Sequence, residues 1–403
     1  MLLSHSDLVE EANKNYPYWN KAKYYARKEH LDERVFWGAM KLSRNCFPIV
    51  IGEDAFLLSP MVYKERILHS LDDYRETDAG ASVLQSLDSL EALMDEAISS
   101  SQMEGASTTS VVAKKMLQEK RKPKDNSERM ILNNYVAVRY VVENQKAELS
   151  LENLLYLHQL VTKGTLEDPS QEGKIRQDNT VVVQNSMDGE IVHVPIDHSL
   201  LANRLDGLFA LFNGRAQLAE NFIHPIVVGI IIHFYLSYIH PFSDGNGRTA
   251  RLLFLWYLLK NGYGIMKYLS VSKMISSSRG QYETAFLETE ADDLDLTYFV
   301  LNQLKTLEKA FSEWTDSLER RRKEAVMVSS LQSEQVKQRQ AKLLYDFQSE
   351  APSFLLETAV YAGKYGITLQ TARTDLRDLV DKGYLEEIPV NRRKFCYRYK
   401  SET

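Results

Sequence analysis

Ten residues lying between two apolar stretches carry the types and spacing that phosphate chemistry needs: His240, Pro241, Phe242, Ser243, Asp244, Gly245, Asn246, Gly247, Arg248 and, three positions on, Arg251. Backbone N–H groups ahead of a helix N-terminus make an anion site, strengthened by the helix dipole. Glycines allow positive φ and a close approach of backbone to ligand. Arg248 and Arg251, three apart, face one side of a helix and offer charge-assisted contacts to phosphate oxygens. Asp244 suits Mg²⁺, which commonly takes one carboxylate plus phosphate oxygens. His240 has an unperturbed pKa near neutrality and stands as a base at the mouth of the same loop. Alone, an Asp-Gly-Asn-Gly string is a surface turn and a His before Pro is a helix end. Together they read as a triphosphate cradle, a metal ligand and a base.

The flanking residues must form helices to hold that loop. Ile226, Ile230, Phe234 and Tyr238 repeat at helical spacing before it. Leu252, Leu253, Leu255, Trp256 and Leu259 do so after it, up to a stop at Asn261-Gly262. Val83, Leu84, Leu87, Leu90, Met94 and Ile98 give a third apolar face. One segment breaks the rhythm. Thr180–Gln184 and Glu190–Val194 are β-branched runs around Asp188-Gly189, which predicts a hairpin ended by Pro195. Just before it, Gly173-Lys174-Ile175-Arg176 reads as a solvated basic turn, with a phosphate or flap contact as the alternative.

At this point the chain resembles a known family. His240 to Arg248, continued to Arg251, fits the Fic signature HPFx[D/E]GN[G/K]RxxR without departure, and the resemblance extends over roughly 83–311. It implies a mainly α fold, a Fic-type helical core with a β-hairpin flap. It implies protein adenylylation with ATP and Mg²⁺, in which AMP passes from ATP to a Ser, Thr or Tyr hydroxyl of a target protein and of the enzyme itself. His240 would be the general base and Asp244 the Mg²⁺ ligand. Gly245, Asn246 and Gly247 would hold the α- and β-phosphates, and Arg248 and Arg251 the β- and γ-phosphates. Val182, Val183, Ile191 and Val192 of the flap would align the target by strand pairing. The family's Asn-Arg-x-x-Tyr-Tyr near the nucleobase is matched only by Ser278-Arg279-Gly280-Gln281-Tyr282-Glu283, so Arg279 and Tyr282 correspond while Ser278 and Glu283 depart.

Ser100 and Glu104 are four apart, on one helix face, with Gly105 as a stop. On their own they read as a helix ending in a solvated glutamate. The pattern [S/T]xxxE[G/N] ahead of the core resembles the inhibitory helix of autoinhibited Fic proteins, placed here at 83–105. The resemblance implies that Glu104 pairs with Arg251 and restrains the reaction. The alternative is that Glu104 orients a water for AMP removal.

The remaining regions are read from pattern. Residues 1–80, rich in Tyr and Trp (Tyr16, Tyr18, Trp19, Tyr24, Tyr25, Trp37), are expected to be a helical accessory region, 81–311 the core, and 312–339 a polar helical connector. Residues 340–403 resemble a winged helix-turn-helix (α+β), with helices at 341–347, 354–362 and 368–379, strands at 383–385 and 395–399, and Arg392-Arg393-Lys394 in the wing. Arg373 and Arg377 would face phosphates, while Asp375, Asp378 and Asp381 on the same helix oppose DNA. A DNA-binding regulator with a nucleotide-sensing core is therefore a second reading, and a homodimer stays open. The net charge of −6 excludes a chain that coats nucleic acid throughout. Two cysteines, Cys46 and Cys396, allow no disulfide framework and fit a reducing cytoplasm. The start lacks a basic leader, and 226–239 is too short to cross a bilayer, so no membrane partner is expected.

Overall fold

Asp32 opens a helix by accepting hydrogen bonds from the N–H groups of Arg34 and Val35, as the side chain of an N-cap does. It belongs to a trio, α1 (Ser6–Asn13), α2 (Trp19–Lys28) and α3 (Glu33–Ser43), packed through Val9, Ala22, Ala26, Phe36 and Met40. The computed structural model describes residues 6–75, 89–184, 189–216, 222–332, 336–348, 354–391 and 394–400. The chain divides into two compact units, Met1–Phe311 and Ser312–Thr403. Among the described residues no helix is long and apolar enough to cross a membrane.

The first eighty residues are not all helical, against expectation. Strands β1 (Phe47–Ile51) and β2 (Asp54–Leu58) form an antiparallel hairpin. Its alternating burial, with Ile49, Ile51, Phe56 and Leu58 inside, is the period-two pattern of a half-buried strand pair. Leu57 exchanges backbone bonds with Leu294 and Leu296, which fastens the hairpin to the later helical core. Of the aromatics there, Tyr16 is buried and Tyr24 is exposed.

Helix α4 (Arg66–Asp72) precedes α5 (Leu90–Met103), α6 (Ser110–Gln118), α7 (Asn126–Glu143) and α8 (Leu151–Thr162). Helix α5 is the part of the expected 83–105 helix that falls among the described residues; Val83, Leu84 and Leu87 lie outside them. The flap strands, β3 (Val183–Gln184) and β4 (Ile191–His193), are shorter than expected and pair Val183 with His193 and Gln184 with Ile191. The turn residues 185–188 lie outside the described residues, and Val182 precedes β3.

Next come α9 (Leu201–Phe212), α10 (Pro225–Ile239) and α11 (Asn246–Lys260). Helix α10 is buried on every side from Ile226 to Leu236, which is why its sequence is apolar all round. It packs against α11, which also contacts α7 and α8. Helices α12 (Val271–Ser277), α13 (Arg279–Ala291) and α14 (Thr297–Gln332) follow, and α5 lies between α7 and α12. The N-terminal turns of α14 bury Phe299, Val300 and Leu304 in the first unit.

In the second unit, α15 (Gln338–Gln348), strand β5 (Leu356–Glu357), α16 (Thr358–Tyr365), α17 (Leu369–Asp381), β6 (Leu385–Asn391) and β7 (Lys394–Tyr399) enclose a core that includes Leu344, Phe347, Tyr361, Leu376 and Tyr397. The sheet order is β5-β7-β6, antiparallel throughout. The helix expected from Phe354 begins only at Thr358, because Leu356 and Glu357 pair with Tyr397 and Cys396. Arg392 and Arg393 lie outside the described residues.

Candidate active site

The loop between α10 and α11 is fixed from within. His240 takes the left-handed conformation, φ 48°, at the end of α10, and Pro241 prevents the helix from continuing. Asn246 closes the loop by a reciprocal pair: its Oδ1 accepts from Phe242 N at 3.0 Å and its Nδ2 donates to Phe242 O at 2.8 Å. That side chain is therefore spent on the loop, and what Asn246 offers a ligand is its backbone N–H. The first backbone bond of α11 runs from Thr249 N to Gly245 O, so the amides of Asn246, Gly247 and Arg248 have no partner within the helix. Gly245 has φ +80°, and a Cβ there would lie 2.8 Å from Thr162 Cγ2. This is a position for glycine alone.

His158, which the sequence reading passed over, supports the loop from below. It is fully buried and stacked on Phe242 at 3.8 Å between ring centroids. Its Nδ1 accepts from Gly173 N at 3.0 Å, so Nε2 carries the proton and donates to Asp244 O at 2.8 Å. Burial pushes its pKa down to about 4, which keeps that neutral tautomer. In the sequence His158 falls on the apolar stripe of Leu154, Leu157 and Val161, where a histidine cannot be told from a core residue.

Arg176 corrects the reading of Gly173–Arg176 as a solvated turn. It is 3% exposed, and its Nε donates to His240 O at 2.9 Å. Its Nη1 donates to Asp178 O at 2.8 Å and its Nη2 to Ile196 O. One guanidinium thus joins the end of α10 to both arms of the flap. The five donors of arginine make such a node possible.

At the end of α10, His240 Nδ1 lies 3.1 Å from Ser237 O and must donate to it, leaving the Nε2 lone pair as the basic site. Burial lowers its pKa to about 4. Arg248 is wholly buried: Nη1 reaches Val161 O at 3.3 Å, Asp244 Oδ2 lies 3.6 Å from Nη2, and Nε has no partner. A buried, unpartnered guanidinium N–H is costly unless an anion meets it. Burial also lowers the pKa of Arg248. Asp244 itself is 57% exposed, with Oδ1 accepting from Gly245 N.

Arg251, 4% exposed, donates from Nε to Ser100 Oγ at 2.9 Å and from Nη2 to both Ser100 O at 2.9 Å and Glu104 Oε1 at 2.7 Å. Burial opposes the charge of both partners. Their attraction outweighs it, holding the Glu104 carboxyl below and the Arg251 guanidinium above their ordinary values. A Cβ on Gly247 would overlap Glu104 Oε1, so the carboxylate lies over the N-terminal turn of α11. Helix α5 is held in this position by Glu96, which is buried and accepts from Ser272 N at 2.9 Å.

A cleft of about 260 Å³ opens from this point, lined by Val183, Val192 and His193 of the flap, His240 and Arg251 of the core, and Arg279 and Tyr282 of α13. Ile191 is exposed and Val182 half-buried, and neither lines the cleft. Tyr282 is buried, its hydroxyl 3.0 Å from His233 Nε2. Arg279 is tied to Glu283 at 2.7 Å and to Met103 O at 3.1 Å, so the Glu283 that departs from the family pattern serves to orient it.

Comparison with known proteins covers the same segment. Residues 148–258 match the sequence model of the Fic/DOC family. "Protein adenylyltransferase Fic" of Drosophila grimshawi is 30% identical over 211 residues, 49% of this chain and 40% of that protein. The protein of the same name from Culex quinquefasciatus is 32% identical over 162 residues, 39% of this chain and 29% of that one. The chain thus spans less than half the length of these curated relatives. Two solved structures share the fold: a Fic family protein from Desulfovibrio desulfuricans (TM-score 0.54, 18% identity, 86% of this chain and 97% of that one) and Fic-1 from C. elegans (TM-score 0.53, 19% identity, 79% and 85%). Residues 148–258, the segment that carries the His240–Arg251 loop and the flap strands, are thus similar to the Fic/DOC family.

Proposed function

We propose that this chain is a self-restrained protein adenylyltransferase that uses ATP. The observation that carries the reading is the His240 tautomer: Nδ1 is committed to Ser237 O, so a basic Nε2 stands beside a helix N-terminus and two buried arginines. Nε2 accepts the proton of the target hydroxyl, and the oxygen attacks the α-phosphorus of ATP. The bond to the β-phosphate oxygen breaks and pyrophosphate leaves. The amides of Asn246 and Gly247, with Arg248 and Arg251, stabilise the charge; positioning does the rest. Arg248 Nε, buried and without a partner, is the donor this reading assigns to a phosphate oxygen. Asp244, a single exposed carboxylate beside the cradle, fits Mg²⁺ held mainly by phosphates and water, which would neutralise charge on the departing pyrophosphate. Val183 and Val192 line the target side of the cleft, and Arg279 and Tyr282 the nucleobase side. The target is a protein presenting a hydroxyl.

Glu104 acts as the restraint. Its pairing with Arg251 and its position over Gly247, at the helix turn that would receive phosphate, support this role. The test is intact mass after incubation with ATP and Mg²⁺. Glu104→Gly gains AMP and Glu104→Gly/His240→Ala does not; equal gain in both would remove His240 as the base.

A second role for residues 340–403 rests on one observation. Asp375, expected to repel DNA, is fully buried between Lys337 and Arg339, and Asp378 is bonded to Lys382 and Gln340. The outward side of α17 carries Gln370, Arg373, Thr374 and Arg377, with Asp381 exposed at its end. The helix–strand–helix–helix–strand–strand order supports a winged helix-turn-helix with α17 against the duplex. Arg373→Ala should lower the salt dependence of duplex binding by roughly one counterion; no binding by the parent chain ends this reading.

A further inference from the structure

The flap residues that bear on a target are short strands, and a two-stranded hairpin of this size does not hold its own register in water. Something outside the hairpin must fix where β4 lies relative to the base. Arg176 fixes the feet of the flap through Asp178 O and Ile196 O. The strands themselves need a separate tie.

His193, the last residue of β4, supplies one. Its Nδ1 lies 2.8 Å from Glu290 Oε2 on α13, and its Nε2 lies 2.8 Å from Tyr238 O, two residues before His240 on α10. Both ring nitrogens thus lie within hydrogen-bond distance of oxygens on two other elements. The side chain is 10% exposed and Glu290 24%, a setting in which hydrogen bonds are stronger than at the surface. The ring stands 5.7 Å from that of Tyr238 and 6.4 Å from that of His240. Opposite it in register is Val183 of β3. A single imidazole therefore joins the flap, the helix that carries the base and the helix that floors the cleft.

We infer that His193, held by Glu290, is a positioning residue that sets the distance between the flap strand and His240, and so the placement of the target hydroxyl. The inference rests on the adenylyltransferase reading. It differs in kind from the roles of Val183 and Val192, which meet the target directly. His193 acts through the backbone of β4, and its loss should be felt by the protein substrate far more than by the nucleotide.

The experiment uses the full-length Glu104→Gly chain as enzyme and the His240→Ala chain, which cannot modify itself, as acceptor. His193→Ala is expected to lower kcat/KM for the acceptor at least tenfold, while ATP affinity measured by calorimetry changes less than threefold. Glu290→Ala should do the same, and the double variant should lose no more than either single one, as expected of residues acting as a pair. Glu290→Gln, which keeps an acceptor oxygen, should recover part of the loss. Amide hydrogen exchange at residues 183–184 and 191–193 should quicken in His193→Ala, with the exchange of α10 and α11 unchanged. Equal losses for ATP and acceptor, additive losses in the double variant, or unaltered flap exchange would each overturn the inference. If the parent Glu104→Gly chain transfers no AMP, the adenylyltransferase reading fails instead, and flap exchange still decides whether His193 anchors the hairpin.

Discussion

Replacing Glu104 tests the central contact of the site. Its carboxylate lies 2.7 Å from Arg251 Nη2, in a side chain 29% exposed against a guanidinium 4% exposed. Charge centres about 4 Å apart attract by roughly 4 kcal/mol at an effective dielectric of about 20. Discounting for the exposed part leaves about 2.7 kcal/mol, which in the proposed restraint would hold the competent fraction near one per cent. Glu104→Gly should therefore raise the initial rate of AMP transfer about 100-fold, read by intact mass against time at saturating ATP and Mg²⁺. Glu104→Gln separates charge from bulk. It keeps the side chain over Gly247 and loses the ion pair, so its rate should fall between the two, near tenfold above wild type. A Glu104→Gly chain no faster than wild type would refute the restraint. A Glu104→Gln chain as slow as wild type would show that occupancy over Gly247, and not charge, does the restraining.

Arg176→Ala removes a guanidinium, 3% exposed, that satisfies the carbonyls of His240, Asp178 and Ile196. A loss of about 2–4 kcal/mol in stability is expected from unsatisfied buried acceptors, seen as an earlier denaturant midpoint, with transfer falling more than tenfold in the Glu104→Gly background. Arg176→Lys should restore neither, because a point charge cannot replace the fork. His158 and His233 are buried, with pKa values lowered to about 4 and about 3. The unfolded chain takes up their protons first as pH falls below about 6.5. Stability is therefore lost as pH falls from there towards 4, by up to about 2.7 kcal/mol per pH unit for the two together; urea midpoints that do not change between pH 7 and 5 would contradict this. His240, at about 4, should remain an unprotonated base down to near pH 5, so the transfer rate constant should decline on the acid side only below that.

The parts of the site that lie close in sequence were legible, because a loop between two helices carries its own geometry. His240, Gly245, Asn246, Arg248 and Arg251 came as one string, and the helices around them announced themselves by apolar period. Glu104 was readable only through a resemblance, since a glutamate near a helix end says nothing of a partner 147 residues away. Arg176, His158 and His193 escaped for a common reason: each uses a polar group to satisfy backbone atoms of a distant element, and periodicity carries no record of that. The β1–β2 hairpin was missed because Phe47–Ile51 and Ala55–Leu58 are unbroken apolar runs in sequence; the alternation lies only in their burial, which the sequence does not print. Asp375 shows the converse: a charge read as outward is turned inward by Lys337 and Arg339 on another segment.

The same perturbation has a second consequence, because Arg248 and Arg251 are two buried cations one helical turn apart. Asp244 compensates Arg248 weakly, from 3.6 Å and with a side chain 57% exposed. Glu104 compensates Arg251 fully. Taking that carboxylate away leaves Arg251 with neutral Ser100 partners, and breaking a buried pair from one side costs about 3–5 kcal/mol, less here for a partly exposed glutamate. In the proposed restraint, inhibition and stability would be one contact seen from two directions. Glu104→Gln should be faster than wild type and melt several degrees lower. Because an incoming triphosphate replaces the missing anion, saturating ATP should raise the melting temperature of the variant more than that of wild type. Equal shifts in the two proteins would mean that the arginines are stabilised by something other than Glu104, and that the glutamate restrains the reaction by bulk alone.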